Sequence, residues 1–179
     1  MDQFKWVIAP SVGIAIATAL ISCKTQSAPL PASGSQPTSQ EAPTTGKAPS
    51  TDTLAQVVAV VPQLQSEGQY TFRVTIASAD TGCDQYANWW EVITADGDLL
   101  YRRILAHSHV DEQPFERSGD PVAIAADQSV IVRAHMEPDG YSSQAMKGTV
   151  ADGFEPTALP EGFTADLATV APQPNDCAF

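Results

Sequence analysis

The segment YANWWEVITADGDLLYRRIL, residues 86–105, constrains the fold of this chain more than any other. Two β-prone runs, Tyr86 to Thr94 and Leu99 to Leu105, flank Asp96-Gly97. An Asp-Gly pair between such runs marks a hairpin, because a type I′ turn needs positive φ at both central residues. A two-residue loop then sets the register. Ile93 faces Leu100, Val92 faces Tyr101, Glu91 faces Arg102, Trp90 faces Arg103 and Trp89 faces Ile104.

Other segments follow the same period of two. Along Gln69 to Ala77, Tyr70, Phe72, Val74 and Ile76 share one face, and Thr71, Arg73 and Thr75 share the other. Val57 to Val61, Val122 to Ala125 and Val130 to Met136 are further strands, and Glu137-Pro138-Asp139-Gly140 is a turn. No 11-residue window carries a helical apolar stripe. Six or seven short strands separated by turn signals predict an all-β fold, an antiparallel β-sandwich of immunoglobulin-like or fibronectin-like type; a small β-barrel is the alternative. After Asp152 the prolines at 156, 160, 172 and 174 predict a wrapping tail with little regular structure.

The 179 residues divide by composition. From Lys24 to Thr53 there are five Pro, five Ser and six Thr, with Leu30 the only large apolar side chain. Such a stretch buries too little surface to offset chain entropy, so residues 23–53 read as a disordered tether. Residues 54–179 form the folded domain. That domain holds six basic and 18 acidic residues, which accounts for the whole net charge of -12. A surface so acidic excludes nucleic acid as a partner, since phosphate neutralisation needs Lys and Arg in excess. No phosphate-binding Gly loop, HExxH or GxSxG motif occurs, so nothing points to an enzyme.

Residues 1–22 read as a targeting segment. Val12 to Ile21 carries no charge, and ten residues rise about 15 Å as a helix, roughly half a bilayer core. That length suits a signal peptide better than a span. The residues that follow, Leu20-Ile21-Ser22-Cys23, resemble the lipobox of bacterial lipoproteins. The resemblance implies cleavage before Cys23 and attachment of acyl chains to it, which fixes the protein to the lipid bilayer of the cell envelope. Lys24 stands where inner-membrane lipoproteins of the enterobacterial type have Asp, which implies the outer membrane in a source that has one. The pattern CxxYxxWWEV…YRR…HSH within Cys83 to Phe115 is also similar to bacterial envelope proteins with no assigned activity.

Once Cys23 carries lipid, Cys83 and Cys177 remain, and an even pair in an exported chain implies a disulfide. The alternative, a reactive Cys83, is opposed by the neighbouring Asp84. The hairpin offers Trp89, Trp90, Arg102 and Arg103 either as sheet-stabilising pairs, with Arg103 over the Trp90 ring, or as a patch for a sugar or peptide. Pairs of this kind are common in ordinary sheets, which favours the first use. If the second strand of the hairpin continues, His107 and His109 project to one face about 7 Å apart, and His135 from a neighbouring strand completes a three-His site for Zn or Cu. The contrary expectation is preferred: the histidines bond locally and no metal or other cofactor is held. The sequence therefore predicts a lipid-anchored envelope protein displaying a non-enzymatic binding or structural domain. Its partner is an envelope protein or glycan.

Overall fold

The computed structural model describes residues 53–178. The signal segment, Cys23 and the tether up to Asp52 lie outside the described residues. Ten strands follow in order: β1 (Gln56–Ser66), β2 (Gln69–Ala77), β3 (Tyr86–Thr94), β4 (Leu99–Ile104), β5 (Phe115–Ser118), β6 (Val122–Ala123), β7 (Val130–Glu137), β8 (Gly140–Tyr141), β9 (Gln144–Thr149) and β10 (Gly153–Ala158). A 3-10 turn spans Ala165–Thr169.

The strands make two antiparallel sheets that do not close into a barrel. One runs β1-β2-β5, with β6 also on β2; the other runs β10-β9-β7-β3-β4, with β8 on β7. This is the expected β-sandwich, with more strands than the turn signals indicated. Alternation drives the packing. Phe72, Val74 and Ile76 point inward from β2, and Trp90, Val92, Val132 and Ala134 point inward from β3 and β7 to form one buried core.

The hairpin register holds from Val92 opposite Tyr101 to Trp89 opposite Ile104 but shifts at the turn, where Ile93 meets Leu99. The Gly97 amide donates to the Thr94 carbonyl at 3.1 Å, and the Thr94 amide to the Asp98 carbonyl at 2.9 Å. Gly97 has φ 99° while Asp96 is not left-handed. The connection is a longer turn with one glycine bulge rather than a type I′ turn, which explains the slip by one residue.

The tail is more regular than its prolines suggested. β10 carries Pro156 yet pairs with β9 from Gly153 to Ala158. It is an edge strand, so the missing proline N–H deprives no neighbour. Pro62 in β1, the edge of the other sheet, is tolerated for the same reason.

Candidate functional site

Successive residues of β3 alternate between the sandwich interior and the outer face of the six-stranded sheet. Trp89, Glu91 and Ile93 take the outer face. β3 lies between β4 and β7, and Glu91 has Arg102 directly opposite on one side and Arg133 on the other. One row across three strands therefore reads Arg102–Glu91–Arg133. Glu91 Oε2 accepts from Arg102 Nε at 2.9 Å and Nη2 at 2.6 Å, and Oε1 accepts from Arg133 Nε at 2.8 Å. All three side chains are at most 1% exposed.

Two guanidinium groups and one carboxylate leave one positive charge under cover. Burying it costs free energy unless the spare N–H groups find acceptors. The tail supplies them as backbone carbonyls. Arg102 donates to Leu167 at 2.7 Å and to Pro172 at 3.0 Å, with a further bond to Val170. Arg133 donates to Phe163 at 2.6 Å and to Thr164 at 3.0 Å. The tail is thus strapped across the sheet face, and Leu167 joins Ile93, Ile131 and Ala145 in a second apolar cluster beneath it. A disulfide between Cys83 and Cys177 ties the strap down further along.

The next row stacks aromatic rings. His135 faces Trp89 across the strands, with ring centroids 3.8 Å apart and planes 12° from parallel. His135 Nδ1 lies 2.8 Å from Asn88 Oδ1. Burial, together with Arg102 and Arg133, pushes the His135 pKa down to about 4, so the ring is neutral at pH 7. The Arg133 guanidinium lies over the Tyr141 ring at 3.6 Å, and burial pushes the Tyr141 phenol up to about 12. Tyr141 is consequently a neutral hydrogen-bonding group across the physiological range.

Beside this row, a cavity of about 340 Å³ opens between the turn into β8 and the strapped tail. Arg133, Tyr141 and Ser142 line it from the sheet; Leu159, Phe163 and Ala168 line it from the tail. Asp139 and Glu161 stand exposed at its edge. Its size is that of a small-ligand site, and its walls are apolar with a few fixed polar groups.

The four residues offered as a hairpin patch are separated. Trp89 and Arg102 are buried under the tail, with Arg102 over the Trp89 ring at 4.4 Å. Trp90 faces the core and packs against Tyr101. Arg103 is exposed and turns to the carbonyls of Ser118 and Ile104 instead of the Trp90 ring. The period of two that puts these side chains on opposite faces is itself what rules out a shared patch.

The three histidines do not assemble either. β4 ends at Ile104, so His107 and His109 sit in a loop, their ring centroids 4.5 Å apart, while His135 stacks on Trp89. Among the described residues, no three His, Cys, Asp or Glu side chains are grouped to hold a metal ion. Arg133 and Tyr141 escaped the sequence reading. The signal was there for Arg133, a charged residue inside the otherwise unbroken buried run VIVRAHM. Nothing local marks Tyr141.

The chain is similar to a protein of Halomicrobium mukohataei named "Putative lipoprotein", 37% identical over 116 residues and covering 60% of this chain. It spans 57% of the length of that relative. No family model and no solved structure matches the chain. The relative's name suggests a lipoprotein and with it a membrane-associated place in the envelope.

Proposed function

We propose that this protein is a lipid-anchored lipoprotein of the cell envelope whose β-sandwich acts as a binding module rather than as an enzyme. Acyl chains on Cys23 hold it to the bilayer, and residues 24–53 keep the acidic domain away from anionic headgroups. Three things support the anchor: the lipobox-like Leu20–Cys23, the polar tract after it, and the lipoprotein name of the relative. Lys24 in place of Asp favours the outer membrane, where the source has one.

The binding role rests on the cavity beside Tyr141. Its floor is fixed by the Glu91 ion pairs and its far wall by the strapped tail, so the site is organised before a partner arrives. The partner is an envelope protein or a glycan presenting a group small enough to enter. The test is to fill the cavity from its exposed side. A Ser143→Trp chain crosslinked in intact membranes loses the adduct that the native chain forms, while its disulfide and its melting temperature stay unchanged. An adduct of undiminished yield would refute the binding role.

A further inference from the structure

At the far end of the hairpin, His109 is a buried polar side chain with no hydrogen bond. Its side chain is 1% exposed, its ring stacks on Phe115 at 3.7 Å, and neither ring nitrogen has a hydrogen-bond partner among the described residues. Asp80 Oδ2 lies 3.8 Å from Nδ1, and Asp80 is already engaged by the Ser78 hydroxyl and the backbone amides of Ala87 and His109. An imidazole buried in this way ordinarily bonds to something, and an absent partner at such a group marks a place for a water, ion or ligand.

The space beside it is a cavity of about 100 Å³, lined by His109, His107, Arg103 and Arg117 together with Ile104 and Leu105. Two of the six basic residues of an acidic domain and two of its three histidines converge there. Both arginines keep donors in reserve. Arg103 uses Nε and Nη1 on the carbonyls of Ser118 and Ile104, which leaves Nη2. Arg117 uses Nη1 and Nη2 on Glu112 and on the Glu116 carbonyl, which leaves Nε. A divalent cation would meet two guanidinium groups here, whereas an anion meets unused N–H groups of planar, permanently charged side chains.

We propose that this pocket binds a small tetrahedral oxyanion, phosphate or sulfate, taken up together with one proton on His109. The volume admits about three water equivalents, room for one such ion and little more. The charges facing His109 are Asp80, His107, Glu112 and Arg117, with Asp111 on the same loop. Burial first, then Arg117 and His107, hold its proton affinity below the ordinary value, against the pull of Asp80 and Glu112. An oxyanion reverses that balance. It brings a counter-charge to Arg103, Arg117 being already paired with Glu112, and accepts an N–H from the imidazolium, while Asp80 steadies Nδ1 on the other side. The surrounding negative field of the domain restricts the site to small ions, because an extended polyanion meets the acidic surface.

The site is independent of the cavity beside Tyr141, and so is its test. The full chain in neutral detergent, labelled at histidine nitrogens, is titrated with sodium phosphate against sodium chloride of equal ionic strength. Phosphate should raise the proton affinity of His109 about tenfold, and Arg103→Gln should weaken phosphate binding about tenfold while the His135 signals stay in place. Arg103 is exposed, so that variant keeps the fold. Equal responses to phosphate and chloride would mean that the cavity holds water only. A shift of His107 and His109 with zinc chloride but not with phosphate would make it a metal site. Either result overturns the proposal.

Discussion

Glu91 accepts two bonds from Arg102 through a single carboxylate oxygen, and neither side chain has any exposed surface. Its other oxygen is held by Arg133. A strand buried on both faces thus carries an ion pair whose spare donors order the tail. The arrangement binds two distant parts of the chain, residues 91–133 and 163–172.

Replacing Glu91 by Gln therefore leaves two guanidinium groups buried with no counter-charge. The expected cost is about 3–5 kcal/mol in denaturant unfolding, the usual penalty for breaking a buried pair from one side. A loss under about 1 kcal/mol would show that water reaches the site and that the pair carries little weight.

His135 makes stability depend on pH in a defined window. Its folded pKa of about 4 lies below the ordinary 6.5, so the unfolded chain binds the proton more readily between those values. The contribution is fully present above about pH 6.5 and is lost as pH falls toward 4, amounting to about 3 kcal/mol at the lower end. Imidazole resonances followed by NMR should show His135 neutral down to about pH 4; titration near 6.5 would contradict the buried stack on Trp89.

The bridge between Cys83 and Cys177 closes a separation of 94 residues. In the chain-entropy description a loop of that size contributes about 4.7 kcal/mol. Peptide mapping without reductant should recover the linked pair from the exported protein. Reduction should lower the melting temperature while leaving the tail docked through its carbonyl bonds to Arg102 and Arg133. Free thiols at both positions after export would contradict the bridge.

Local periodicity made most of the fold readable. The inward set of β2 follows from alternation, because a half-buried strand has only one way to face a core, and the Trp89–Ile104 register was read from the turn at Asp96-Gly97. The pairing of the two cysteines was accessible by counting. What escaped were features assembled from distant segments. Pro156 looked like a strand breaker because nothing in its neighbourhood tells that β10 lies at a sheet edge. That Arg102 and Trp89 lie under cover was not legible locally, because the strap over them comes from residues some seventy positions later. The cavity beside Tyr141 depends on that same strap, and no local pattern encodes where a tail returns.

The anchoring proposed at Cys23 would place the sandwich in the envelope. It is tested most directly by the intact mass of the mature protein extracted from membranes. The expected result is a chain that begins at Cys23 and carries at least a diacylglycerol on it, and a Cys23→Ser chain that is neither processed nor acylated. A membrane-derived protein that keeps Met1, or a Cys23→Ser chain processed and retained as before, would contradict it.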